Sequence, residues 1–135
     1  MPTAEEQIVK LPFWSGPATL KPLSGGLSNQ SFIVTDDRGK DVALFGHDIA
    51  GHHVVRTREA ELSRVAAALG ISPQLHFSGN GVMIFDFIEG HTFGADDLKN
   101  NLERGIGIVK RVHTEMHHKV RGPGFLFWVF HVLRD

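Results

Sequence analysis

Residues 24–29 carry the pattern most able to do chemistry. Ser24, Gly25, Gly26, Leu27, Ser28 and Asn29 follow one another between two short apolar, β-prone runs at 18–23 and 31–35. The glycine pair permits positive φ and lets the backbone approach a ligand with no side chain in the way. Ser28 and Asn29 add hydroxyl and amide donors. Such a loop aims several N–H groups at phosphate oxygens, although a Gly-Gly pair between strands is also ordinary turn chemistry. A second candidate is Glu59. With Val55, Leu62, Ala66 and Leu69 it follows the spacing of one helical face. Breaking a buried ion pair typically costs about 3–5 kcal/mol, so an inward carboxylate needs a partner. His47, His91 or Lys40 could supply it; otherwise Glu59 reaches water in an open cleft or takes up a proton. A slight rotation of the helix would simply leave it wet.

The nine histidines suggest metal binding. His113 and His117 lie four apart on a predicted helix, with Glu115 or His118 as a third ligand. The same spacing is an ordinary solvated face, so no metal site is assigned. His52 and His53 precede the first long helix, where a loop or helix-start role suffices. Asp96 and Asp97 read as helix-start residues, favourable near the positive end of the helix dipole. No catalytic residue is assigned.

The elements that must hold these residues are legible in order. Residues 1–17 form a segment that packs Phe13 and Trp14 onto the domain and then turns. Strands are expected at about 18–23, 31–35 and 41–45, with a hairpin at Asp36–Gly39 where Gly39 supplies the special backbone angle. A helix over Val55–Leu69 is stopped by Gly70 and closed by Pro73. Two more strands, 74–77 and 82–87, flank a turn at 78–81, and the second is apolar enough to be central. Ile88–His91 breaks the pattern as a hinge. A helical stretch from Asp96 or Asp97 to about His118 places Leu98, Leu102, Val109, Val112 and Met116 on one ladder. Gly105 and Gly107 weaken it by about 1 kcal/mol each. A further apolar element begins at Phe125.

Composition narrows the function classes. The chain has 135 residues, 41% hydrophobic and 21% charged, with net charge −1 and no Cys. That is enough for a domain with a core. It carries no electrostatic footprint for nucleic acid, no disulfide framework and no thiol chemistry, which suits the cytoplasm. The polar, acidic N-terminus is unlike a secretory signal, and no apolar run is long enough to span a membrane.

Four stretches taken together, Pro22–Asn29, Arg56–Glu61, Ala68–Pro73 and Phe85–Gly90, carry a resemblance. The chain resembles the choline/ethanolamine kinase and aminoglycoside phosphotransferase families, which share the protein-kinase-like fold. The likeness covers nearly the whole chain but only the first part of such an enzyme. It implies an α+β fold: a kinase-like N-terminal lobe with a five-stranded antiparallel sheet and one crossing helix, then the first helices of a truncated C-terminal lobe. Residues 1–88 would be the nucleotide-binding lobe, and 89–135 the hinge and the start of the helical lobe. Ser24 to Asn29 would lie over the phosphates of ATP, bound with Mg²⁺. Backbone groups of Asp86, Phe87 and Ile88 would hydrogen-bond adenine. Glu59 would match the helix glutamate that normally pairs with a basic residue on the third strand, fixing that residue against the α- and β-phosphates.

The sequence departs from this pattern in two places. The expected basic position aligns with Leu44, and a shift of one residue gives Ala43 or Phe45 instead. The family's His-x-Asp catalytic loop, its following Asn and its second metal-binding Asp do not occur in these residues. Phosphoryl transfer needs a group to orient the acceptor and carboxylates to hold Mg²⁺. The expectation is therefore weak or absent nucleotide binding and no kinase activity from this chain alone. A small-molecule alcohol acceptor is expected only in an intact relative. The alternative is a non-catalytic interaction module or pseudokinase-like fragment, dimerising through the apolar run Phe125–Val132.

Overall fold

Apolar residues between positions 19 and 86 produce five strands because each strand has a face to bury. The structure is a computed structural model, and it describes residues 2–24, 29–48 and 54–122. The strands are β1 (Thr19–Leu23), β2 (Gln30–Asp36), β3 (Gly39–Phe45), β4 (Leu75–Gly79) and β5 (Val82–Asp86). They form one antiparallel sheet in the order β1-β2-β3-β5-β4. Pro22 cannot donate to a ladder, and it sits on the edge strand β1 opposite Phe32. β5 lies between β3 and β4, and Val82, Met83, Ile84 and Phe85 are all buried, as its unbroken apolar run requires.

The alternation separates two faces. Phe32, Val34, Ala43, Val82 and Ile84 point one way and pack with Ala4, Ile8 and Leu11. Those last residues belong to a short helix, α1 (Ala4–Val9), and the residues just after it. Thr3 caps α1, its hydroxyl accepting from the Glu6 N–H at 3.2 Å. The Trp14 indole N–H then donates to the Ile8 carbonyl at 2.7 Å. The expected N-terminal packing segment is thus a helix followed by the aromatic pair. The sheet is covered on this face as well as by the crossing helix.

The opposite face carries Leu44, Leu75, Met83 and Phe85, and receives the crossing helix α2 (Arg56–Ala68) through the fully buried Ala60. The buried centre of that helix is Ala60, one residue from the ladder read off the sequence, because an alanine lets the helix come close to the sheet. Glu59 is therefore turned toward the flank. Gly70 leaves α2 with φ +67, as its stop role demands. Asn80 and Gly81 turn β4 into β5 with φ +52 and +76, the pair of positive angles that a tight hairpin needs.

Beyond β5 the chain runs without regular structure into α3 (Ala95–Asn100) and α4 (Leu102–Arg111). α4 continues through a π-helical turn (Val112–Met116) into the short α5 (His117–Lys119). The single expected helical stretch is broken at Asn101, whose φ of −126 is not helical. The Asp97 carboxylate accepts from the Gly94 N–H at 2.9 Å, confirming a helix-start role. The Arg111 guanidinium caps the last turn of α2 through the Leu69 carbonyl. The expected ladder is not buried along its length: Leu98, Leu102 and Val109 are more than half exposed. Among the described residues no helix is long and apolar enough to cross a membrane. The apolar run Phe125–Val132 and residues Gly25–Ser28, His52 and His53 lie outside the described residues.

Candidate functional site

The flank between α2 and the sheet opens into a cleft of about 510 Å³. Its walls follow from the period of the strands. Val42 and Leu44 on β3 and Phe85 on β5 share one face, so all three line it. Leu23 comes from the end of β1, just before the glycine loop. Glu59 and Ser63 come from α2, and Ser72 and Pro73 from its exit. The far end is Asp86, Phe87 and Ile88. The volume suits a small organic ligand, and the lining is an apolar wall with a few polar groups.

Of the residues singled out in the sequence, Glu59, Asp86, Phe87 and Ile88 are brought together here. Ser24 is exposed at the end of β1, and Asn29 meets the site indirectly, through Arg56. Gly25, Gly26, Leu27 and Ser28 lie outside the described residues. At the far end the Asp86 N–H donates to the Gln74 carbonyl at 3.1 Å. The Asp86 carboxylate accepts from the Gln74 N–H at 3.3 Å and meets His76 Nε2 at 2.5 Å. Among the described residues the N–H groups of Phe87 and Ile88 meet no backbone acceptor.

Glu59 does have a cationic partner, but a different one from those considered. Arg56 Nη1 donates to Glu59 Oε2 at 2.5 Å, three residues away on the same helix. Lys40 instead meets Glu89 at 3.5 Å, His91 lies 3.5 Å from Asp97, and His47 offers its carbonyl to Arg56 Nε at 3.1 Å. The partner is therefore a neighbour on the helix and not a residue of a strand or loop. Arg56 also donates from Nη2 to the Asn29 side-chain oxygen at 2.5 Å, and its backbone N–H is capped by Asp48 at 2.8 Å. Asp48 does what Val55, the residue before the helix, has no side chain to do. Leu44 lines the cleft with Glu59 and packs against the Ala60 cluster, so β3 brings an apolar side chain to the place of the expected cation.

On the edge beside β4 a second polar group assembles. Asp41 and Asp86 are directly opposite on β3 and β5, and His76 joins them from β4. Their ligand-type atoms lie within 4.8 Å of one another. Like charges directly opposite on a sheet repel. Desolvation by burial pushes the Asp41 carboxyl above its ordinary range, partly offset by the His76 and Arg38 charges. Arg38 and Lys40 line the same hollow, so the two carboxylates already have basic neighbours. No spacing in the sequence announces this cluster, because its members come from three strands. His113 and His117 form no such group with a third ligand among the described residues.

No protein-family model matches the chain, and no curated protein matches it in sequence. In fold the chain is similar to a solved structure, an ethanolamine kinase from Plasmodium vivax, with a TM-score of 0.55 and 20% sequence identity. The match covers 81% of this chain and 33% of that one, so the chain spans about one third of the enzyme's length. At this identity the likeness concerns the fold. The five-stranded antiparallel sheet and its crossing helix are those of a kinase-like fold, shared with part of an ethanolamine kinase.

Proposed function

We propose that this chain is the nucleotide-binding part of a choline/ethanolamine-kinase-like phosphotransferase. Residues 1–88 would form the nucleotide lobe, and 89–135 the hinge and the first helices of a second lobe. The observation that carries this reading is the cleft itself. It joins an apolar wall (Val42, Leu44, Phe85), free backbone N–H groups at Phe87 and Ile88, and a paired acid at Glu59. An adenine ring fits between such walls, hydrogen-bonded along the connector, with its phosphates toward the loop 24–29 and Mg²⁺ bound among them. Intact relatives would pass the ATP γ-phosphate to a small-molecule hydroxyl. This chain holds no recognisable carboxylate set for that step, so binding without turnover is the expected behaviour, in a cytoplasmic setting that the Cys-free composition suits.

Titrating the ¹⁵N-labelled protein with Mg·ATP tests the reading. The expected result is weak, saturable binding with shifts grouped at Leu44, Glu59, Phe87 and Ile88, and no phosphate transfer to choline or ethanolamine. Absence of grouped shifts at millimolar nucleotide would remove it.

A second reading has its own observation. Leu102, Ile106 and Val109 on α4 are 55%, 56% and 55% exposed at helical spacing. An apolar stripe of this kind suits self-association or a partner. Light scattering distinguishes the two readings: a dimer that Leu102→Asp disperses, with no response to nucleotide, would favour the interaction module.

A further inference from the structure

The cleft has an acid on its helix, and the β3 residues that line it, Val42 and Leu44, carry no charge. Arg56 sits in the first turn of α2 with its side chain only 14% exposed. Its three nitrogen arms run to three different places: Glu59 on the helix at 2.5 Å, the Asn29 side chain at 2.5 Å, and the His47 carbonyl just past β3 at 3.1 Å. Gly46 makes room for this crossing. A Cβ there would fall on the Arg56 guanidinium and on the Asn29 amide oxygen.

An ion pair three residues apart on one helix ties nothing to the sheet by itself. The other two arms do that. They fasten the start of α2 to the end of β3 and to Asn29, where the chain re-enters β2 after the glycine loop. A guanidinium carries five N–H groups in a fixed fork. Three are spent on these partners, leaving two. Glu59, which lines the cleft, balances part of the charge and holds the fork in one orientation.

We propose that Arg56 is the positioning residue of this cleft. It brings from the helix the positive charge that β3 does not offer at Val42 or Leu44, directs it toward the anionic end of a bound nucleotide, and holds Asn29 in place. This rests on the nucleotide reading above, so the test separates the two. Binding of Mg·ATP and of adenosine is measured by calorimetry on the 135-residue chain and on its variants. The wild type is expected to bind Mg·ATP more tightly than adenosine. Arg56→Gln should lower Mg·ATP affinity about tenfold, the size of one charge-assisted contact, and leave adenosine unchanged. Adding Leu44→Lys to Arg56→Gln should restore much of the loss, because it places a cation in the cleft wall beside Glu59. Asn29→Ala cuts only the loop arm, and should weaken Mg·ATP and not adenosine even where Arg56→Gln folds poorly.

Equal loss of both ligands in Arg56→Gln, or no loss of either, would overturn the proposal. If the wild type binds neither ligand, the nucleotide reading fails, and with it the charge role. The tie is then judged alone by amide exchange at Asn29 and Gln30. Exchange about tenfold faster in Arg56→Gln supports the tie, since losing one such contact opens the site by that factor; unchanged exchange refutes it.

Discussion

Ile8→Ala is the sharpest test of how the sheet is supported. Ile8 is 0% exposed and packs with Phe32, Val34, Ala43, Val82 and Ile84, on the sheet face opposite the cleft. The substitution removes three carbon atoms from a site closed on every side. Large-to-small changes of this kind cost about 2–5 kcal/mol, and full burial places this one at about 3–4. Alanine is the better helix former, which returns only about 0.4 kcal/mol. Against a total stability of about 5–15 kcal/mol the loss is large. It should lower Tm by about 10–15 °C for a domain of this size. Urea unfolding followed by Trp14 fluorescence, in a Trp128→Phe background, reads the effect directly. The Trp14 indole is bonded to the Ile8 carbonyl and so reports on α1. Val9→Ala is the control: Val9 is on the same helix but 42% exposed, so it should cost under about 1 kcal/mol. Equal small losses for both would show that α1 is not part of the core, and the two-sided covering of the sheet would have to be abandoned.

Two further outcomes follow from single residues. Asp41 is raised by desolvation, so its folded carboxyl holds a proton to higher pH than the unfolded one. Its contribution to stability is then greatest below the unfolded value, near 3.8, and is lost as pH rises through the folded value. Asp41→Asn should therefore raise Tm at pH 7, with the gain shrinking as the pH approaches 3; a lower Tm at pH 7 would show that the carboxylate is needed as a partner of its neighbours. Gly81→Ala should be destabilising by about 1–2 kcal/mol, from the positive φ and from contact with the His47 ring and the Gly46 carbonyl at 3.2 Å. The urea midpoint measures this, with Gly90→Ala as a control at a position where nothing lies within 4 Å.

What could be read without a structure follows the range of each interaction. The strands and their turns were legible because period-two patterning and Asn80-Gly81 chemistry act over a few residues. α1 was not: its six residues span less than two turns of periodicity, and Leu11–Trp14 drew attention to aromatic packing instead. The register of α2 was missed by one residue, because Ala60 wins the buried position by being small rather than by being strongly apolar. The break at Asn101 was not foreseen; the glycines drew attention as weak points of one stretch, yet Gly105 and Gly107 stay helical. The cleft residues from Asp86 to Ile88 were found through a resemblance. Arg56 and the Asp41–His76–Asp86 group were not, since the one acts through a partner in another loop and the other joins three strands.

The pairing of Arg56 with Glu59 has a consequence for how the chain folds. Partners three residues apart need almost no chain closure to meet, whereas a strand-to-helix pair must wait for the sheet and helix to dock. The two charges can therefore find each other as soon as the first turn of α2 winds, and arrive at the sheet already neutralised. β3 is left free to be apolar where it meets the helix, and Leu44 can join the collapse of Leu75, Met83 and Phe85 without having to bring a charge through it. The local pair thus moves an electrostatic requirement out of the slow, long-range part of folding and into its fastest step.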